Sequence, residues 1–287
     1  MAAVIPAVTR ISPRIIRVLG CNPGAMTLQG TNTYIVGTGK RRILIDTGDN
    51  DVPQYINHLR NVLQYDNIDL AHIFLTHWHP DHIGGLEDVL DQLPEQTKNC
   101  EIWKFPLNKD EKLIGEFEQF KDGQEISVEG ATIRVIHTPG HTKDHVSLHL
   151  LEEDAVFSGD CILGEGTAVF EDLYDYMESL RTLLRIQPEI IYPGHGNVIY
   201  DPIERIQFYL NHRQERETQI MEILRCNERA SFTEGELVDL IYQNLPKNLA
   251  KAAAMNVNHH LQKLLKEEKV KKLDSMWQHN QTIKSIC

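Results

Sequence analysis

An α/β fold, with sheets covered by helices and a helical, winged-helix-like module at the C-terminus, is what the 287-residue sequence predicts. Three observations predict it. Short apolar runs alternate with turn residues and helical stretches through residues 1–204. Near Ile206 the pattern changes to charged, periodic helix. Side chains of the kind that ligate metals follow the ends of predicted strands, beside Gly or Pro.

Taken in order, IIRVLG (15–20) reads as the first strand, followed by TYIVG (33–37), RILIDTG (42–48) and HIFLTH (72–77). LEDVLDQL (86–93) has helical character, and TIRVIHTPG (132–140), VSLHLL (146–151), AVFSGD (155–160) and EIIYPGHG (189–196) return to strand. Beyond them, residues 205–224, 231–246 and 248–270 read as three helices. Ser231 and Glu234 have the spacing of a capping box, and Pro246 ends the segment it opens. The apolar and basic VKKL (270–273) completes a winged-helix-like pattern, with a helical tail packed on the first part as the alternative. The division expected is therefore 1–204 and 205–287.

No run of about 18 apolar residues is present, which argues against a membrane-spanning helix. Five widely spaced cysteines suggest neither a disulfide framework nor a CxxC zinc site, and a reducing compartment is the simpler reading. The net charge of −12 disfavours nucleic acid as a partner until its distribution is considered. Residues 205–287 hold 13 Lys and Arg against 10 Asp and Glu, so the acidic excess lies in the first part. No acidic residue precedes Asp46, whereas Arg10, Arg14 and Arg17 do, which gives the N-terminus the character of an organellar targeting segment; a first strand of the fold is an equal reading.

The chemistry concentrates in THWHPDH (76–82), with His77, His79, Asp81 and His82 just after HIFL. His141 follows TIRVIHTPG, Asp160 follows AVFSG, and His195 follows EIIYPG, so four strand ends present such groups on one edge. Gly140, Gly159, Gly194 and Gly196 permit the tight paths this requires. Crowded imidazoles and carboxylates repel or stay unpaired without a cation between them. One ion takes about four ligands, so seven groups suit two ions about 3.5 to 4 Å apart that share a carboxylate and a water or hydroxide. His145, four residues after His141 in HTKDH, is a candidate proton donor.

These residues resemble the metallo-β-lactamase superfamily: THWHPDH fits its H-x-H-x-D-H signature, and TPGHT, FSGD and PGHG fit its later ligand motifs in order. The resemblance covers about residues 14–200 and implies an αβ/βα sandwich. It assigns His77, His79 and His141 to one metal, Asp81, His82 and His195 to the second, and Asp160 to the bridge, with two Zn²⁺ ions as cofactors. Hydrolysis is the implied reaction, with Asp81 and Asp160 as its carboxylates. His79 stands where redox relatives carry Glu, and Asp160 where the antibiotic-degrading enzymes carry Cys, so redox chemistry and lactam hydrolysis are disfavoured.

Two branches remain, thioester hydrolysis as in glyoxalase II and phosphodiester hydrolysis of RNA. The loop CNPGAMTLQGTNTYIVGTG, the variant TPGHTKDH and the helical C-terminus are most similar to a mitochondrial branch that cleaves single-stranded RNA. The resemblance thus implies an endoribonuclease of the mitochondrial matrix, with the cytosol as the alternative compartment. A nucleic-acid-binding protein without turnover and an iron-dependent dioxygenase of a glutathione derivative are the other classes. The loop from Asn22 to Thr33 is expected to shape the substrate entrance through Thr31 and Asn32. Lys263, Lys266, Lys269, Lys271, Lys272 and Trp277 are the candidates for gripping RNA.

Overall fold

A strand buried on both faces needs apolar residues at successive positions, one set for each face. The strand cores of the catalytic region have this composition. In a computed structural model, residues 4–107, 117–226, 231–242, 246 and 249–280 are described. The first sheet holds seven strands in the order β1 (Val8–Ser12), β2 (Ile15–Leu19), β3 (Asn32–Val36), β4 (Arg41–Ile45), β5 (Asp69–Leu75), β6 (Glu101–Lys104) and β7 (Glu118–Gln119). Pairing is antiparallel from β1 to β4 and parallel from β4 to β7. Helices α1 (Pro53–Tyr65), α2 (Pro80–Ile83) and α3 (Leu86–Gln92) fall between these strands.

The second sheet holds β8 (Glu125–Val128), β9 (Ala131–His137), β10 (Val146–Leu150), β11 (Ala155–Gly159) and β12 (Ile190–Pro193), in the spatial order β12-β11-β10-β9-β8. Helix α4 (Leu173–Ile186) links β11 to β12, which pair in parallel. The chain then enters α5 (Pro202–Cys226), α6 (Glu234–Ile241), α7 (Ala250–Lys266) and the hairpin β13 (Val270–Leu273) and β14 (Met276–His279).

Alternation sorts the side chains into layers. Ile43, Ile45, Phe74, Val135, Leu148 and Phe157 meet between the two sheets. Leu44, Ile73 and Leu75 face α1 and α3, against Leu59 and Val89. On the other side Val156 and Ile191 face α4 and α5, against Tyr176, Leu180 and Tyr209. The result is helix, sheet, sheet, helix: the αβ/βα sandwich.

The C-terminal module has its own core of Ile220, Leu224, Leu237, Val257, Leu261 and Trp277. Helix α5 belongs to both cores, because Ile206 and Tyr209 pack in the catalytic layer. The division expected at residue 205 therefore falls inside a continuous helix.

Several expectations change. IIRVLG forms the second strand, since Val8–Ser12 precedes it as an antiparallel edge. In the folded chain Arg10 pairs with Asp66, Arg14 with Glu153, and buried Arg17 donates to Thr9 Oγ1. The capping box is Thr233 with Glu236, two residues later than expected. Its cause is tertiary: Phe232 exchanges both backbone hydrogen bonds with Trp277, which keeps the chain extended until Thr233. The helix beyond this cap ends at Ile241, and residues 243–245 before Pro246 lie outside the described residues. No helix among the described residues is long and apolar enough to cross a membrane.

Lys263 is buried and ion-paired to Glu217 of α5 and to Glu267. Burial raises the Glu217 pKa, but the bonds from Lys263 and Lys269 outweigh it and hold the carboxyl below its ordinary value. The contribution is thus complete above the ordinary carboxylate pKa and is lost as acid carries the pH through the lowered folded value. Glu217→Ala, which leaves a buried ammonium with one partner, should lower unfolding free energy by about 3 kcal/mol at neutral pH. Chemical denaturation should show this difference shrinking as the pH falls below the ordinary carboxylate range.

Candidate metal centre

Every group in the site is set at a strand end or in the turn beyond it. β4 ends at Ile45, and Asp46 follows it with a left-handed backbone (φ 57°). β5 runs into Thr76 and His77, and Pro80 starts the single turn α2 that carries Asp81 and His82. His141 lies in the turn between β9 and β10, Asp160 follows β11, and His195 follows β12. Gly194 is required by proximity: a Cβ there would lie 2.6 Å from Asp160 Oδ1. Gly159 has φ 46°, and a Cβ would meet His145 Nε2 at 2.6 Å.

The side chains converge in two groups. His77 Nε2 lies 3.0 Å from His79 Nδ1 and 3.2 Å from His141 Nε2, which is itself 3.0 Å from His79 Nδ1. His82 Nε2 lies 3.3 Å from His195 Nε2, and Asp81 Oδ2 is 3.1 Å from the latter. Asp160 stands between them, with Oδ1 at 3.4 Å from His82 and 3.3 Å from His195, and Oδ2 at 3.6 Å from His141.

The opposite ring nitrogens explain which atoms point inward. His141 Nδ1–H donates to the Val169 carbonyl at 2.8 Å, which turns the Nε2 lone pair toward the cluster. His82 Nδ1 is 2.7 Å from Asp46 Oδ2, and His77 Nδ1 is 3.0 Å from Thr76 Oγ1. Asp46 also accepts from the Thr76 backbone N–H and hydroxyl. Neutral imidazoles whose lone pairs face one another cannot bond to each other. Asp160 Oδ1 is buried without a hydrogen-bond donor among the described residues. Five imidazoles and two carboxylates arranged this way fit a divalent cation of the zinc class and could hold one.

The charges follow the same division. Burial, reinforced by His82 and His141, holds His77 well below its ordinary value, and burial with His141 pushes His79 down to about 4. Burial disfavours charge on His195, but Asp160 and Asp81 raise it to about 9. Burial also opposes charge on His82, where Asp160 and Asp46 prevail and raise it. Burial would raise Asp160, yet His195 and His82 outweigh it and hold the carboxyl well below the usual range.

The site opens into a cleft of about 420 Å³ whose walls include Met26, Leu28, Leu163, Glu165 and Val169. The entrance expected between Asn22 and Thr33 is there, through Ala25, Met26 and Leu28. Thr31 and Asn32 themselves are buried and face the protein. Thr31 Oγ1 donates to Asp81 Oδ2 at 3.3 Å, and Asn32 Nδ2 donates to the Pro193 and Gly196 carbonyls, bracing the turn that carries His195.

Three further expectations are corrected. His145 is fully buried: its Nε2 accepts the Asp160 backbone N–H and its Nδ1 meets Thr138 Oγ1, so it positions Asp160 and has no proton for substrate. Lys263 is enclosed in the module, and Lys266 bonds Asp172, the cap of α4. Trp277 is buried in the module core and presents no face for stacking. Asp46 is the member of the site that sequence reasoning missed; its only signal is an acid at the end of an apolar run in RILIDTG.

The fold and cluster define a superfamily: residues 26–195 match the Metallo-beta-lactamase superfamily, and the chain belongs to it as a metal-dependent hydrolase. Residues 233–277 match the Beta-lactamase associated winged helix domain. Among relatives, the "Beta-lactamase-like protein 2 homolog" of Drosophila melanogaster is 52% identical over 276 residues, covering 94% of each chain. The "Atrochrysone carboxyl ACP thioesterase" of Aspergillus fumigatus is 39% identical, covering 86% of this chain and 79% of that one. A beta-lactamase domain protein from Burkholderia ambifaria shares the fold with a TM-score of 0.78 at 16% identity, over 97% of this chain and 96% of the other.

Asp46→Asn keeps the shape but removes the charge behind His82. Metal retention should fall about 10- to 100-fold with an unchanged circular dichroism spectrum. Competition with a chelator measures it, and retention equal to the parent protein would remove Asp46 from the centre.

Proposed function

We propose that this chain is an endoribonuclease that hydrolyses phosphodiester bonds of single-stranded RNA, using two zinc ions. His77, His79 and His141 would hold one, Asp81, His82 and His195 the other, with Asp160 shared. The observation that carries this reading is the placement of Asp160 between two triads at the floor of an open cleft, whose Leu163–Val169 wall continues to the winged-helix module. Bound there, zinc would supply a more acidic water and a polarised phosphoryl oxygen.

The chain's own residues orient the reaction. His145 holds the Asp160 backbone, Thr31 holds Asp81, and Asn32 holds the turn bearing His195. The apolar walls limit water near the scissile bond and suit a base or ribose face. Lys271 and Lys272 of β13 are exposed, the latter with its ammonium 4.7 Å from the Trp277 ring, and they are the basic edge proposed to contact phosphates. The mitochondrial matrix is the compartment proposed with this activity, from the family resemblance.

A specific observation favours a second reading, thioester hydrolysis. Ala25, Met26, Leu28, Leu163 and Val169 line the cleft with no Lys or Arg on its walls among the described residues, and the Aspergillus relative is named a thioesterase.

The zinc-loaded protein should be offered single-stranded RNA, duplex RNA, single-stranded DNA, a glutathione thioester and a lactam. Cleavage of single-stranded RNA above the others, abolished by Asp160→Ala in a folded variant, is expected. Turnover of the thioester with RNA left intact would replace the proposal by the second reading. Lys271→Gln with Lys272→Gln should also flatten the salt dependence of RNA affinity, with a slope smaller by about 1 to 2. Identical slopes would place the RNA grip elsewhere.

A further inference from the structure

The segment from Leu163 to Asp172 has two neighbours of different kinds. On one side Val169 accepts the His141 Nδ1–H bond, and Leu163, Glu165 and Val169 line the cleft. On the other lies α5. Arg205, Tyr209 and Arg213 are spaced i, i+4, i+8, which places them on one face of that helix. Arg205 donates to the Leu163 and Gly166 carbonyls, the latter at 2.7 Å. Tyr209 Oη accepts from Leu163 N–H at 3.0 Å and contacts Gly166. Arg213 Nη2 donates to the Ala168 carbonyl at 3.0 Å, adjacent to Val169 in the chain.

Arg213 is the more deeply buried of the two arginines in this grip. It is 5% exposed, and its guanidinium lies 4.7 Å from the Phe170 ring. Phe170 stacks on Tyr176 of α4 and meets His259 of α7 edge-on. The residues on either side of Val169 are thus held by one arginine, through a hydrogen bond on Ala168 and a cation–π contact on Phe170. A carbonyl fixed at both flanks fixes the ring that donates to it.

We propose that Arg213 is a positioning residue for His141: α5 clamps the Leu163–Asp172 segment, and the winged-helix core in which α5 ends thereby sets the aim of a metal-ligating imidazole. The inference rests on the cluster and holds whether RNA or a thioester is the substrate. It gives the module a task at the hydrolytic centre that is separate from substrate contact. A change in the module that shifts α5 moves the Val169 carbonyl with it.

The test uses the full chain. Arg213→Met keeps the stem's volume but removes the donor and the charge over Phe170. Arg213→Lys retains one donor without the planar fork. Leu59→Ala, in the opposite helix layer, lowers stability without touching the segment. Two readouts are followed: the rate at which a chelator strips zinc, and the imidazole N–H signal of His141 in the metal-free protein by nitrogen-15 NMR. For Arg213→Met, zinc loss about tenfold faster and a His141 N–H signal lost to solvent exchange are expected, with partial recovery in Arg213→Lys and parent values in Leu59→Ala. Parent-like values for both readouts in folded Arg213→Met would overturn the proposal, as would equal effects in Leu59→Ala. If Arg213→Met does not fold, Phe170→Leu removes the ring beneath the guanidinium and is judged by the same readouts.

Discussion

Seven side chains that would rather face water or a hydrogen-bond partner are turned inward toward one another, and that constraint organises the rest of the molecule. Imidazoles in the cluster are kept in place by what their far sides touch: a carboxylate at Asp46, a hydroxyl at Thr76, a carbonyl at Val169. Those anchors come from the ends of β4 and β5 and from the segment before α4. The anchors come from the first sheet and from that segment, while the ligands follow strands of both sheets, so both sheets contribute to one centre. Without the outer bonds the rings could rotate to satisfy themselves, and the cluster would lose the arrangement that suits a cation.

The two halves of the centre differ in their protons. His77 and His79, buried and facing other rings, are held toward the neutral form, whereas His82 and His195, facing carboxylates, attract charge. A cation bound at the first group would meet lone pairs, and one bound at the second would displace protons that the carboxylates favour on His82 and His195. Because Asp160 faces both groups, a cation bound at either would change the field at the same carboxylate.

Much of the architecture is legible in the sequence because both signals are local. Apolar runs such as VSLHL and AVFSG read as strands from their residue types, and the ligand motifs announce themselves by spacing. Depth is not legible in this way. His145, Thr31 and Asn32 lie next to the centre as their positions suggest, yet they point into the protein, and only packing decides that. Lys263 is similar: nothing local tells that Glu217, 46 residues earlier, will meet it in a buried pair. The short strands Glu101–Lys104 and Glu118–Gln119 are hidden from a reading of composition because sheet pairing makes them strands. The start of α6 is displaced for the same reason, by the backbone exchange between Phe232 and Trp277.

Beyond β11 the chain turns two consecutive side chains to opposite sides. Asp160 enters the centre, while Cys161 is packed, fully buried, among Ile162, Tyr176 and Tyr209 of the helix layer. Burial pushes the thiol's pKa upward, so the sulfur stays protonated and poorly nucleophilic. A soft ligand thus sits one peptide bond from a zinc-type site without competing for its occupant. Oxidants and alkylating reagents that reach the cleft would find imidazoles and carboxylates at its floor, and the sulfur they would meet is the Met26 thioether on its wall, outside the cluster.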